Sequence, residues 1–403
     1  MSNRKRNALR NVLEFAPAWL LLKFLGILPR TTAIFVGKLI ARAIYQVHGR
    51  LRRVGYRNLQ LAMPDLTRTE RRAIIKGVFA NLGRLLGEFS QFPKITRENI
   101  SDLVEYDGFE NYARASERGR GVLMLTGHIG SWELCAFAQG AYGHPLSFLV
   151  RPLDNPLLDE MIGRYRGLSG NRTINKNKAV RSVLEILRQG RDVGLLIDVN
   201  TLADQGIFCD FFGIPACSTT GLAVFALRSD APVVPGFLIW DEQSDKHKLR
   251  FEPEVPLIRT GDFKEEVILN TARFTKVIED HARRYPDQWL WVHKRWQTRP
   301  EGEPDLYDRR TRRSDRGSSF KVEAQAEGTY RSLSSPRQNP IPHKKEKGDG
   351  CPSPRSHTEN PRFCVAAIYY LFFAPFLAPP FFAAAFFFAP PFFAVAIVCF
   401  SFR

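Results

Sequence analysis

The chain opens with two apolar runs. Residues 15–29 (FAPAWLLLKFLGILP) are apolar except for Lys23. Residues 33–47 (AIFVGKLIARAIYQV) place Lys38 and Arg42 four apart, on one face of a helix. Neither run reaches the ~20 clean apolar residues of a spanning helix. The first crosses a membrane if Lys23 snorkels, or else lies in the interface. Arg4-Lys5-Arg6 would suit a signal peptide, but no good small-x-small cleavage site follows. We therefore read an uncleaved hydrophobic anchor followed by an interfacial helix; the alternative is two buried helices of a soluble domain.

Residues 60–96 carry apolar positions at three-and-four spacing and predict helix. Short apolar runs and helical patterns then alternate. Strands are expected at 121–126 (GVLMLT), 146–150 (LSFLV), 192–198 (DVGLLID) and 232–240 (PVVPGFLIW). Residues 249–257 offer a further antiparallel strand. Helices are expected at 131–140, 157–168, 179–188, 221–229 and 264–285, with WLWVHKRW (289–296) closing the domain. This alternation predicts an α/β fold with a central, mostly parallel sheet flanked by helices.

After Pro300 the composition changes. Residues 301–362 are rich in Arg, Ser, Pro, Gly and Glu and read as a disordered polar linker. Residues 363–402 hold thirteen phenylalanines, five prolines and no charge. That apolar tail is either a second membrane-associated segment or a sequence with no selected fold, and no function is placed there.

Charge adds a partner class. Twelve of the 58 basic residues, but one acid (Glu14), lie in residues 1–60, so most of the net +17 is N-terminal and mixed with apolar runs. That mixture suits an anionic membrane surface rather than nucleic acid. Six cysteines without a CxxC pair exclude a secreted disulfide scaffold and show no zinc knuckle.

The sharpest local feature is TGHIGSWELCAF (126–137). His128 follows an apolar strand directly, and Glu133 comes five residues later. Within one helix a five-residue step turns about 140° past a full turn, so the two meet only if His128 sits in the turn before the helix. An imidazole held by a carboxylate on one ring nitrogen is a general base on the other. The bland alternative is a histidine packed near a surface glutamate. Placement at a strand's C-terminal end between Gly127 and Gly130 favours the site. No G-x-S-x-G elbow, Walker loop or G-x-G-x-x-G is present. With no nucleophile beside His128, the base would activate a hydroxyl carried by the substrate.

GH-IGS-WE, VRPLDNP (150–156), DFFGIPA (210–216) with Thr219 and Thr220, APVVP (231–235) and PDQWLWVHKRWQTRP (286–300) stand in the order found in the bacterial late lipid A acyltransferases. Over residues 10–300 the chain resembles that family, which belongs to the HX4E lysophospholipid acyltransferase superfamily. The resemblance implies a membrane-bound O-acyltransferase with residues 61–300 as its catalytic domain and residues 1–60 as its anchoring segment. It would move a fatty acyl chain from an acyl carrier protein thioester to a hydroxyl of an anionic lipid A precursor, at the cytoplasmic face of the bacterial inner membrane. No metal or organic cofactor is implied. His128 would deprotonate the acceptor hydroxyl and Glu133 would orient and charge-stabilise His128. Arg151 would bind acceptor phosphate or steady the oxyanion. Arg164 would assist, or be a surface arginine, and Asp198 would contribute to substrate binding. Phe211, Phe212, Gly213, Pro215 and Ala216 would form a pocket, or a tight loop over the core.

One departure stands out. The family often has Asp-Gln where this chain has Asp198-Val199-Asn200, which bears on acceptor choice. His144, His247, His281 and His293 lack ligand-like spacing and read as core or surface. Trp289, Trp291 and Trp296 read as packing or an interfacial belt. Two rival readings remain beside the first: the same chemistry on another glycolipid, such as a mannosylated one, and a non-enzymatic anionic-lipid-binding protein.

Overall fold

Four helices form the N-terminal part: α1 (Ala8–Ile27), α2 (Arg30–Val47), α3 (Gly49–Ala62) and α4 (Arg68–Gln91). The single helix expected over 60–96 is thus divided. Pro64 lacks a donor and disfavours helical backbone at Met63. Thr67 restarts the helix with a capping box, its N–H donating to Glu70 Oε2 at 2.6 Å while its hydroxyl accepts from the Glu70 N–H. In this computed structural model the described residues are 8–150, 152–175 and 179–308. Most of the expected linker and the whole apolar tail lie outside them.

Small residues let α2 and α4 touch. A Cβ on Gly83 would stand 2.6 Å from both the Gly37 carbonyl oxygen and Lys38 Cα, and one on Gly87 would stand 2.6 Å from Ile34 Cα. The faces turned inward carry Ala18, Leu22, Leu25, Ala33, Ala41 and Ile44. The opposite faces of α1 and α2 hold nine of the fifteen exposed large apolar side chains among the described residues, including Phe24, Ile27 and Phe35. No helix among the described residues is long and apolar enough to cross a membrane, so the expected spanning anchor is not found there.

The α/β part runs β1 (Val104–Asp107), α5 (Phe109–Ser116), β2 (Leu123–Thr126), α6 (Trp132–Ala141), β3 (Ser147–Val150), α7 (Pro156–Gly167), β4 (Arg172–Asn175), α8 (Ala179–Arg188) and β5 (Val193–Leu196). A hairpin of β6 (Gly206–Phe211) and β7 (Ile214–Thr219) follows, then α9 (Gly221–Ser229), β8 (Val233–Asp241), β9 (Lys246–Phe251) and α10 (Phe263–Arg284). Seven strands form one sheet in the order β1-β9-β8-β2-β5-β3-β4. All neighbours are parallel except β8 and β9, which pair antiparallel with Gly236 opposite Phe251. The continuous apolar runs of β2 and β8 are those of strands covered on both faces. The expected strand at 249–257 begins three residues earlier and ends at Phe251.

The FFG block proves to be a turn. Phe211 pairs with Ile214, leaving Phe212 (φ 60°) and Gly213 (φ 77°) as a two-residue loop with both residues left-handed, the geometry that matches strand twist in a hairpin. A phenylalanine tolerates that backbone because its N–H donates to Glu279 Oε2 at 2.7 Å and its ring packs on Trp289 and Trp291 beneath the Arg283 guanidinium. Residues 301–308, expected as the start of the linker, still belong to the folded body. The Tyr307 hydroxyl donates to Asn58 Oδ1 at 2.7 Å and accepts from the Trp296 N–H.

The glycine contact between α2 and α4 leaves no room for a side chain. Gly83→Val should lower stability by at least ~2 kcal/mol, as overpacking of a tight core does. The check is the urea midpoint at unchanged m-value, which should fall by about 0.7 M or more; an unchanged midpoint would contradict the contact.

Candidate active site

The turn at 127–131, between β2 and α6, presents His128. Gly130 has φ 60°, and a Cβ there would meet the Leu238 carbonyl oxygen at 1.8 Å, so glycine is required. The turn is bonded along its length. Gly130 N–H donates to Gln288 O, Ser131 N–H to Leu238 O, and Leu290 N–H to His128 O. The Asn81 side-chain amide donates to Gly130 O at 2.9 Å. An isolated antiparallel bridge joins Ile129 to Trp289.

The ring of His128 is buried, and its Nδ1 lies 2.8 Å from Asp198 Oδ1. Asp198 follows β5, the strand hydrogen-bonded to β2. Its other oxygen accepts from the His128 backbone N–H at 2.8 Å and from the Trp289 indole N–H at 2.9 Å. Burial alone would push this carboxyl up. The adjoining His128, with its ring and backbone hydrogen bonds, and the Trp289 donor outweigh that and hold it at about 2. Asp198 is therefore charged at neutral pH and accepts a hydrogen bond from Nδ1–H, which fixes the tautomer and leaves Nε2 as the basic nitrogen. The sequence reading gave that orienting role to Glu133 and a substrate contact to Asp198. The structure puts Asp198 on Nδ1.

Glu133, in the first turn of α6, is engaged by Arg166 of α7. Arg166 Nε donates to Glu133 Oε2 at 2.8 Å, and a second guanidinium nitrogen donates to Oε1, a buried two-pronged pair. Arg164, the arginine expected from sequence, is 69% exposed and, among the described residues, its ion-pair partner is Glu160 at 4.0 Å. The buried stripe of α7 is Leu158, Met161 and Ile162, and its continuation by four residues falls on Arg166. Arg166 is missed by the sequence reading, and a charged residue on an apolar stripe is the signal that could have found it. Arg151 lies outside the described residues.

His128, Glu133 and Arg166 share one cavity of about 120 Å³ between α6 and the face of the sheet. Beyond these three the lining is mainly apolar, with Met124, Phe148, Leu196 and Phe251 among it, and Gly194 and Gly236 sit where side chains would fill the space. Cys135 also lines it, but burial pushes its thiol up to about 12, so it is no thiolate at neutral pH. Phe211, Phe212, Gly213 and Pro215 are not among the lining residues; they build the hairpin that packs on the Trp289–Trp291 corner.

A buried acid–base pair beside a mainly apolar cavity suits transfer of an apolar group onto a polar acceptor. The family model described as "Bacterial lipid A biosynthesis acyltransferase" matches residues 3–298. The chain belongs to this family. It is an acyltransferase of lipid A biosynthesis. Relatives include the lipid A biosynthesis palmitoleoyltransferase of Escherichia coli K12, 27% identical over 281 residues, which are 70% of this chain and 90% of the relative. The lauroyltransferase of the same organism is 28% identical, covering 63% and 82%, and the myristoyltransferase 24%, covering 73% and 90%.

One electrostatic consequence can be read from this acyltransferase without substrate. His293 is buried, and its Nε2 accepts from the Asn200 N–H at 2.9 Å. Burial, with Arg295 nearby, pushes its pKa down to about 3, so the native ring is neutral while the unfolded one titrates near 6.5. The unfolded state then binds the extra proton between those values. Stability should fall as pH drops from about 6.5 towards 3, by up to ~1.4 kcal/mol per pH unit from this group. Melting temperatures across that range should decline less steeply in His293→Gln; identical slopes would contradict the assignment.

Proposed function

We propose that the enzyme transfers a fatty acyl chain from an acyl carrier protein thioester to a hydroxyl of a lipid A precursor, with His128 as general base. The supporting observation is the His128–Asp198 pair at the end of the apolar cavity. The acceptor hydroxyl gives its proton to His128 Nε2. Its oxygen attacks the thioester carbonyl, the new C–O bond forms, and the tetrahedral oxyanion collapses with loss of the C–S bond. His128 returns the proton to the departing thiolate. Asp198 stabilises the imidazolium formed between these steps. Arg166 reaches the cavity while bound to Glu133, and its guanidinium is placed to steady the oxyanion; Glu133 fixes the fork in that position. Arg151, one residue past β3, remains the candidate for acceptor phosphate.

The cavity would take the acyl chain, with its length limited where the floor is made of glycine. A Cβ on Gly194 would meet Leu146 Cδ1 at 3.3 Å and Phe148 Cβ at 3.8 Å, both cavity residues, so a larger side chain enters the slot.

The exposed apolar faces of α1 and α2, rimmed by Lys23, Arg30, Lys38 and Arg42, would seat the enzyme on an anionic bilayer without spanning it. This puts the lipid acceptor in the plane of the membrane and the soluble thioester donor on the water side, which we assign to the cytoplasmic face of the bacterial inner membrane.

With full-length protein, an acyl carrier protein thioester and a lipid A precursor in anionic vesicles, His128→Ala should lower kcat at least ~100-fold, the lower end for losing a general base. Asp198→Asn should fall by a similar or larger factor, because the wrong tautomer is then stabilised. Wild-type turnover retained in His128→Ala would refute the mechanism. Hydrolysis of the thioester without transfer would mean a different acceptor glycolipid. In the same assay Gly194→Leu should shift preference towards shorter acyl donors, and an unchanged chain-length profile would place the chain elsewhere.

A further inference from the structure

Glu88 lies on α4, buried and outside the acid–base pair. Its Oε2 accepts from the Ser131 hydroxyl at 2.8 Å. Its Oε1 accepts from Arg30 at 3.2 Å and faces His247 Nε2 at 2.5 Å. Burial would push this carboxyl up, but His247, Arg30 and Ser131 together hold it below the ordinary range. Arg30, whose guanidinium is always charged, faces Glu88 from the first residue of α2, beside the exposed apolar faces.

Ser131 ends the catalytic turn and is the N-cap residue of α6, yet its side chain makes no capping hydrogen bond. A serine at this position normally accepts from the helix's own first N–H groups. Here the hydroxyl is turned outward, as a donor to a buried carboxylate on another helix. Asn81, seven residues before Glu88 on the same face of α4, binds Gly130 O. α4 thus grips two successive residues of the turn, two and three residues past His128. Hydrogen bonds to a charged acceptor are the strong ones.

We propose that Glu88 is a positioning residue for the catalytic turn, acting through the Ser131 hydroxyl with Arg30 as its counter-charge. The Glu88 carboxylate sets where α6 begins, and thereby the placement of His128 and Glu133 relative to each other. The turnover arm of the test rests on the acyl-transfer reading above; the exchange arm does not.

The test uses full-length protein with Ser131→Ala, Ser131→Thr and Glu88→Gln, read by hydrogen–deuterium exchange and by acyl transfer. Ser131→Ala removes no cap, so a bland N-cap role predicts little change. On the proposal, amide exchange over 127–135 rises about tenfold, the factor for losing a hydrogen bond to a charged group, while β8 stays protected. The turnover number falls about tenfold with KM for the thioester within about twofold. Ser131→Thr, which keeps the hydroxyl, restores both. Glu88→Gln, keeping a neutral acceptor, changes both in the same direction but less. Unchanged exchange over 127–135, a rise shared equally by β8, or faster exchange with normal turnover would each overturn the proposal. Should Glu88→Gln not fold, Ser131→Ala still decides. Should wild type transfer no acyl group, the functional reading fails while the exchange result still judges the positioning.

Discussion

A carboxylate buried at the centre of a sheet must be hydrogen-bonded or it will not stay charged. Asp198 meets that demand with three donors drawn from two places, the His128 backbone and ring and the Trp289 indole. Neither donor segment is regular secondary structure, and neither has a reason of its own to adopt its path. The buried charge supplies one. Once Asp198 is fixed at the end of β5, the turn after β2 must come to it, and so must the segment after α10. The Ile129–Trp289 bridge and the Gly130–Gln288 bond lock the two together. Assembly of the site and closure of the domain are the same event. His128 is oriented by a group that the fold cannot leave unpaired.

Electrostatics around this centre are kept apart by burial and by choice of partner. Arg295, fully buried close to Asp198, spends its donors on the Cys217 carbonyl and the Ser218 hydroxyl and stacks over Phe211. His293 stays neutral because a second buried cation beside Arg295 would cost too much. Glu133 and Arg166 neutralise each other at the cavity. The result is one anionic site facing Nδ1 of His128 and a mainly apolar cavity whose ion pair carries no net charge.

Much of this was readable from the chain, and the remainder fails to be readable for definite reasons. The parallel strands announce themselves as continuous apolar runs, and His128 by standing at the C-terminal end of one. The partner of His128 does not announce itself, because it lies 70 residues away and is chosen by strand order, not by spacing. Local reading naturally prefers Glu133, five residues on. β1 and β4 are four-residue strands at the two edges of the sheet, too short to carry a period. The Phe212-Gly213 turn was concealed by a phenylalanine in a conformation that usually selects glycine or asparagine. Arg164 and Arg166 are two residues apart, which on a helix is about 200° and separates solvent from core. Only the stripe, not the residue type, distinguishes them.

The N-terminal helices show how a surface feature can bear on the interior. Their exposed faces carry apolar side chains, but two polar ties run inward from them. Arg30 reaches Glu88, and the Asn155 amide at the start of α7 donates to the Asn11 carbonyl and to Glu14 Oε2. Glu14 and Glu88 are both buried carboxylates, so neither tie can be broken without leaving a charge short of a partner. One tie leads through Ser131 to the turn that holds His128. The other leads to the helix that carries Arg166. A polar group buried beneath an apolar surface face is a costly arrangement where only adhesion is needed, since apolar packing would serve as well. Its presence at both attachment points ties the orientation of α1 and α2 to the two elements that bracket the cavity. A link of that kind carries the placement of the N-terminal helices directly into the elements that build the cavity.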